Sequence, residues 1–580
     1  MPIYRTEHPD PIRFRPRWLS LNGEWDFALD SFSAIRLQND PRSVHFTEKI
    51  QVPFVYQCTL SGIGEKEYYP YVWYRRFFSL PPEWMRGQSN YLLHFGAVDY
   101  EADVWLNGKH LGSHTGGHTP FHFLLPPDMV QTENELTIRV FDPLDPAVPR
   151  GKQSFASPFE CWYTPSTGIW QPVWLECVGS SWIEDFNVHC DSEKGSLSLS
   201  IQSSHPLKQQ SVYLRITQGD TTPIEFEKDL PPEGNFADIF IPEPQFWSPE
   251  SPVLYQLELE LRCGKLPVDN LCTYFAFRSI SIQDGKLLLN GSPLYLRFTL
   301  DQGYWPESLI SAPDDESFRR DIRIAQSIGM NGCRKHVKIE DPRFLYWADT
   351  LGFLVWTEAP SFYSYTAAAR ERFEKEWEEV IKRDRAHPSI MSWIIFNESW
   401  GIPNLPENME QQEWVMGLVK KTRRLDPGRF VISNDGWEHL ESDLATMHSY
   451  APDASILESD IHCFLNGKTA SNGKKLWADG SQHTPDPPAL ITEFGGIAFA
   501  ADTVPDNAWG YNRRAVDADD FEERIRHLMT YIRQESLLQG FVYTQLTDVE
   551  QEINGLFTSR RKPKIPIDRL HSLFTWSDNP

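Results

Sequence analysis

The sequence predicts three domains in order: a jelly-roll β-sandwich (1–179), an immunoglobulin-like β-sandwich (180–284) and a (β/α)8 TIM barrel (285–580). Up to about Gly179, short aromatic-rich or alternating runs such as Tyr91-Leu92-Leu93-His94-Phe95 and Asp103-Val104-Trp105-Leu106 are followed closely by turn signals, among them Asn107-Gly108. From about Ser180 to Asp284 the period stays at two, as in Leu197-Ser198-Leu199-Ser200-Ile201 and Tyr255 to Leu261, with one apolar face and one wet face. After about Gly285 the period becomes helical and then alternates, strand with helix, to the end.

In the last region Phe318, Ile322, Ala325 and Ile328 mark the first helix, with Ser311 as its expected cap and Gly329 as its stop. A strand end follows over Met330–Val337. The next helix carries Phe344, Trp347, Ala348 and Leu351, and leads into the strand Phe353–Trp356. The cycle repeats with a helix at Phe373, Trp377 and Ile381 before the strand Ile390–Phe396, and a helix at Trp414, Leu418 and Leu425 before the strand Phe430–Ile432. A strand at Ile456-Leu457, the strand Ala489–Ile491, the helix Phe521–Ile532 and the strand Phe541–Tyr543 complete the expectation.

Composition narrows the function. Of 580 residues, 80 are Asp or Glu against 55 Lys or Arg, a net charge of −25 that disfavours nucleic acid and basic attachment to a membrane surface. The eight cysteines are scattered without a Cys-x-x-Cys pair, so neither a disulfide framework nor a zinc ribbon is expected. The first residues form no apolar signal segment, and no apolar run approaches the ~20 residues of a membrane span. A soluble cytoplasmic protein is the expectation. Neither a His-Glu-x-x-His spacing nor a phosphate-binding loop occurs, so no metal or cofactor is expected.

In a TIM barrel the chemistry sits where strands end. The apolar strand from Ile390 runs into Asn397-Glu398, and Ala489-Leu490-Ile491 runs into Thr492-Glu493. Two carboxylates ending two apolar strands are the pair that glycosidic cleavage requires: one gives a proton to the leaving oxygen, the other attacks or activates water. Taken singly, each Glu would be read as a strand cap or an ion-pair partner. Other strand ends offer Asp301 with Gln302, Arg334 with His336, Glu358, Asn434-Asp435, Asp460 with His462, and Gln545 after Tyr543. Arg334 serves either to keep a nucleophile ionised or as a structural ion-pair partner.

These residues resemble glycoside hydrolase family 2 over nearly the full length. Leu21-Asn22-Gly23-Glu24-Trp25, Gly96–Tyr100, Trp105–Lys109, His114–Phe121 and Thr167–Val173 are similar to its sugar-binding jelly roll. Arg383-Asp384-Arg385-Ala386-His387-Pro388-Ser389-Ile390, with Trp393 and Asn397-Glu398, is similar to its acid/base signature, and Thr492-Glu493-Phe494-Gly495 to its nucleophile strand. The resemblance implies Glu398 as general acid/base and Glu493 as nucleophile. It implies Asn397 on the sugar 2-hydroxyl, and two carboxyls about 5–5.5 Å apart in a retaining mechanism. Expected around the substrate are Asn397, Arg334, His336, Asp301, Glu358, His462, Trp400, Tyr543 and Gln545.

The sugar is read from departures. Family galactosidases often show Gly-x-Asn-x-His where this chain has Phe298–Gly303, and Arg334-Lys335-His336-Val337 displaces a histidine by one position. Family glucuronidases carry Asn-x-Lys where this chain has Glu552-Ile553-Asn554 before Gly555-Leu556-Phe557-Thr558, and a Glu there would repel a uronate. Lys335, Lys338, Lys468 and Lys474 are read as solvated. A β-galactosidase is the first reading. A β-glucuronidase or β-galacturonidase, a β-mannosidase and an α-L-arabinosidase are alternatives, and a non-catalytic carbohydrate-binding protein is the alternative of another class. A carbohydrate is the expected partner, and self-association stays open.

Overall fold

A computed structural model describes residues 3–576 except 31–40, 86–88, 206–208, 232–233, 482–485, 502–503 and 505–506. The first sandwich packs a six-stranded sheet, with Tyr71–Phe78 and Asn134–Phe141 at its centre, on a four-stranded sheet containing Val173–Val178 and Asn90–Phe95. Trp25, Phe27, Tyr74, Leu93, Phe95, Ile138 and Leu175 fill the space between them. The second sandwich places a three-stranded sheet against a four-stranded one, and the alternating Leu197, Leu199, Ile201, Leu257, Leu259 and Leu261 form its core.

Eight parallel strands follow: β1 (Leu296–Asp301), β2 (Gly332–Lys335), β3 (Leu354–Glu358), β4 (Ile390–Ile394), β5 (Phe430–Ile432), β6 (Ala445–Ser449), β7 (Ala489–Gly495) and β8 (Leu538–Thr544). They lie in the order β5-β4-β3-β2-β1-β8-β7-β6. Seven helices alternate with them among the described residues: α1 (Asp315–Ser327), α2 (Pro342–Leu351), α3 (Ala367–Asp384), α4 (Met409–Leu425), α5 (Ala454–Leu465), α6 (Ala518–Gln534) and α7 (Ile567–Phe574). None is long and apolar enough to cross a membrane. Between β5 and β6 residues 433–444 take the place of a helix. The Asp443 N–H donates to the Val431 carbonyl and its carboxylate accepts from the Val431 N–H, so this segment is fixed to β5.

Three local expectations change. The cap of α1 is Asp314, which accepts from the Ser317 N–H at 2.8 Å, while the Ser311 hydroxyl donates to the Trp170 carbonyl in the first sandwich. The sixth strand is Ala445–Ser449, and Ile456-Leu457 lies in α5. There the Asp453 carboxylate accepts from the Ser455 and Ile456 N–H groups, and Leu457, Ile461 and Phe464 share the buried face. The sequence 280–293 forms a small antiparallel sheet whose Leu287 joins Leu296, Phe298, Trp356, Leu490 and Val542 inside the barrel. That hairpin closes the end of the barrel opposite the strand termini.

Candidate active site

Arg334, at the end of β2, is fully buried and organises the strand termini. Its guanidinium donates to both oxygens of Glu358 (3.0 and 2.9 Å), to Glu493 Oε1 (2.9 Å) and to Asn397 Oδ1 (2.7 Å), and it lies 2.6 Å from Asp435 Oδ2. One planar fork thus ties the ends of β3, β4 and β7 and the turn after β5. Because the Asn397 oxygen accepts from Arg334, its Nδ2 is turned away from the guanidinium. That nitrogen makes no hydrogen bond among the described residues.

Two backbone irregularities bring the carboxylates together. In β7 the pairing with β6 runs from Met447–Ile491 to His448–Glu493, so Thr492 is an extra residue. This bulge lets Thr492 reach Asp435 at 2.9 Å while its neighbour Glu493 reaches Arg334. After β4, Glu398 and Ser399 both have positive φ, 51° and 62°. A non-glycine pair there is strained and needs anchoring. The Glu398 N–H donates to the Asp435 carbonyl and the Ser399 N–H to Asn434 Oδ1. An oxygen of Glu398, a nitrogen of His448 and an oxygen of Glu493 consequently all lie within 4.8 Å of one another.

His448, from β6, stands between the two carboxylates. Its Nδ1 is 2.7 Å from Glu398 Oε1 and its Nε2 is 3.2 Å from Asp435 Oδ2. Burial opposes its charge, but Glu493, Asp435 and Glu398 raise its pKa to about 10. The trio has the spacing of a metal site. Glu493 also accepts from the Tyr450 hydroxyl.

The environments drive the two carboxyls apart. Burial would raise both, and for Glu398, whose nearest positive group is shared and whose neighbour Glu493 is negative, the shift is upward. For Glu493 the charges of His448 and Arg334 overcome burial and hold it below the usual range. His336 lies against Glu358 at 3.0 Å, and burial pushes its pKa well down.

Not every expected residue faces this pocket. Strand alternation sends Asp301 outward, where it pairs with Lys335 at 2.7 Å as Lys335 pairs with Glu340. Tyr543 likewise faces the helices, its ring against Phe494 and Phe574, and Thr544 points in toward Tyr450. His462, at the end of α5, is half-exposed and near Glu535, so it is removed from the strand termini. Gln545 is buried between Gln302 and Asn554, to which it is bonded at 2.7 Å each. Lys335 and Lys338 are buried and paired, not solvated. Glu358, Arg334, His336, Asn397, Glu398 and Glu493 lie together at the strand termini.

The first sandwich supplies the remaining wall. Its segment around 150–167 crosses the barrel mouth: the Arg150 and Gly151 N–H groups donate to the Ser361 carbonyl, and Gln551 Nε2 donates to the carbonyls of Glu160 and Trp162. Gly151 has φ +59, and a Cβ there would sit 2.3 Å from the Val337 carbonyl, so only glycine permits the approach. Trp162 stacks on Trp400 at 5.4 Å and meets Tyr363 edge-on at 4.9 Å. Tyr163 donates to Glu552, which also accepts from Asn554 Nδ2 at 3.0 Å.

Sandwich, sandwich and barrel with this cluster at the strand ends define a glycosidase scaffold, and comparison with known proteins identifies it. The glycosyl hydrolases family 2 sugar-binding domain matches residues 18–156, the central family 2 domain 182–278 and the family 2 TIM barrel domain 280–575. The chain belongs to glycosyl hydrolases family 2 and is a glycosyl hydrolase. It is 21% identical over 609 residues to a beta-glucuronidase from Streptococcus agalactiae, covering 94% of each chain. It is 28% identical over 413 residues to a beta-galactosidase from Thermoanaerobacter pseudethanolicus, covering 67% of this chain and 52% of that one. A putative beta-glucuronidase from Formosa agariphila is 25% identical over 391 residues, and the match spans about a third (34%) of its length. Among solved structures, a beta-galacturonidase from Eisenbergiella tayi has TM-score 0.74 at 19% identity over the full length of both chains. A Bifidobacterium dentium beta-glucuronidase has TM-score 0.77 at 18% identity over 99% of both.

Proposed function

We propose that the chain is a retaining, exo-acting β-glycosidase in which Glu493 is the nucleophile and Glu398 the general acid/base. The observation that carries this is the close carboxylate pair with opposite electrostatic settings, oxygens within 4.8 Å at the ends of β4 and β7. Inverting enzymes separate the carboxyls by about 6.5–9.5 Å to admit water, and retaining ones hold them near 5–5.5 Å. Glu493, ionised against Arg334 and His448, attacks the anomeric carbon while Glu398 protonates the departing oxygen. Once Glu493 is esterified its negative charge is gone, and Glu398 loses its proton more readily and activates water. Asn397 Nδ2 offers its hydrogens to the 2-hydroxyl. Trp162 and Trp400, beside Glu398, give the aglycone an aromatic shelf.

His448 sets the working pH. Its positive charge favours the ionised form of both carboxylates, so His448→Phe raises both pKa values. The bell-shaped profile of kcat/KM then moves to higher pH on both limbs, as pH–rate measurements would register; an unmoved profile would remove His448 from this role.

Two observations bear on the sugar. Glu552, a carboxylate at the position expected to repel a uronate, supports a neutral galactoside, and the beta-galactosidase among the relatives agrees with it. Lys152, whose ammonium makes no side-chain hydrogen bond or ion pair among the described residues, supports a β-uronide, in keeping with the relatives described as glucuronidases and galacturonidases. A p-nitrophenyl panel of β-galactoside, β-glucuronide, β-galacturonide, β-mannoside, β-glucoside and α-L-arabinosides tests the proposal. Turnover of at least one β-glycoside supports it, and silence on all contradicts it.

A further inference from the structure

Among the buried lysines of the barrel mouth, Lys335 pairs with Asp301 and Glu340, Lys338 with Glu340, and Lys564 with Asp548 at 2.7 Å. Lys152, in the first-sandwich segment that crosses the mouth, is only 4% exposed and makes no side-chain hydrogen bond or ion pair among the described residues. Its Nζ lies 5.8 Å from the Tyr163 ring centroid. After burial, its charge is the largest influence lowering His336, and it also helps to hold Glu493 ionised. Gly151 lies against the Val337 carbonyl and the Tyr163 N–H donates to the Lys152 carbonyl, so Lys152 stands between the His336-Val337 turn and Tyr163.

An ammonium without a side-chain partner at the wall of this pocket points to a partner that arrives with the substrate. The backbone is built to place it. Gly151, in a left-handed conformation against the Val337 carbonyl, lets the chain dip into the pocket just before Lys152, and the neighbouring N–H groups are held by Ser361. The objection from Glu552 weakens at the same point: the Tyr163 hydroxyl covers one of its oxygens and Asn554 Nδ2 the other, so both donors screen it from a second anion.

We propose that Lys152 is the specificity-determining residue of this site, its ammonium pairing with the ring carboxylate of a terminal uronic acid. The inference rests on the retaining-glycosidase reading and names its substrate class. The cation that reads the acid then comes from the first sandwich and not from the barrel segment 552–554, whose side chains carry no positive charge. No bond is made or broken by Lys152; it binds.

The test compares kcat/KM on p-nitrophenyl β-glucuronide and β-galacturonide with that on the matching neutral β-glucoside and β-galactoside, for the wild-type chain, Lys152→Met and Glu493→Gln. The expected result is a wild-type preference for one uronide that collapses in Lys152→Met. The uronide-to-neutral ratio falls by about 100-fold, the scale of a buried charge-assisted contact, mainly through KM. Lys152→Arg keeps part of the preference, and melting curves of the variants confirm that they are folded. Wild-type turnover of neutral glycosides alone, lost in Glu493→Gln, overturns the role of Lys152 and leaves the retaining mechanism standing. An equal loss on acidic and neutral substrates in Lys152→Met also overturns it, because Lys152 would then act on Glu493 and not on the sugar. Wild-type inactivity on every glycoside fails the underlying reading and the inference with it.

Discussion

Glu493→Gln abolishes turnover, with kcat falling on the order of 10⁴–10⁶-fold, the range seen when the covalent nucleophile of a hydrolase is removed. Glutamine keeps the size of the side chain and an acceptor oxygen for Arg334, and its NH2 can donate to the Tyr450 hydroxyl oxygen, so the fold and substrate binding are expected to survive. The loss should be in kcat while the variant still binds the sugar. Steady-state kinetics with an aryl glycoside, followed by addition of azide, separate the possibilities. At Glu493 the amide cannot be displaced, and external nucleophiles rescue nothing. In Glu493→Ala, where space opens beside the anomeric carbon, azide is expected to restore turnover and give the glycosyl azide of inverted configuration. A Glu493→Gln chain within tenfold of wild type would show that the nucleophile lies elsewhere.

Arg334→Met is expected to damage both stability and activity. It leaves Glu358, Asp435 and Glu493 buried around a missing cation, and breaking one partner of such a pair costs roughly 3–5 kcal/mol. The pH dependence follows from the directions of the shifts. Asp435 and Glu493 are held below the ordinary carboxylate range, Asp435 by Arg334 and His448 against the cost of burial. Their contribution is present above the unfolded carboxylate pKa and is lost as pH falls through the folded value. Glu358, raised by burial despite Arg334, acts in the opposite sense and offsets part of it. The melting temperature of Arg334→Met should therefore lie several degrees below wild type near neutral pH, with the gap narrowing on acidification. Its residual activity should show an acid limb displaced to higher pH, since Glu493 has lost a stabilising charge. Arg334→Lys keeps the charge without the planar fork and is expected to fall between the two. Unchanged melting and kinetics in Arg334→Met would contradict the organising role of this guanidinium.

Most of the site is legible in the sequence because its chemistry sits where apolar strands stop. Asn397, Glu398 and Glu493 directly follow buried runs, and Arg334 and Glu358 end β2 and β3. What stays hidden has physical reasons. Asp301 and Tyr543 also end strands, but the period-two alternation turns them outward, and one position more or less decides which face a side chain takes. His462 reads as a strand-end residue because Ile456-Leu457 is apolar, whereas the Asp453 cap three residues earlier signals a helix. His448 and Tyr450 carry little signal because β6, Ala-Thr-Met-His-Ser, has little apolar content and follows β5 without an intervening helix. The bulge at Thr492 is invisible to periodicity, as is the left-handed pair at Glu398-Ser399. Lys152 belongs to a loop of another domain, and only the folded chain brings it to the barrel.

The most direct test of the central claim is the configuration of the first sugar released, followed by proton NMR within the first turnovers of whichever aryl β-glycoside the chain hydrolyses best. Double displacement through Glu493 predicts the β-anomer first, with the α-anomer growing in only by mutarotation. Initial release of the α-anomer would mean a single displacement by water, and Glu493 could not then be the nucleophile nor Glu398 its acid/base partner.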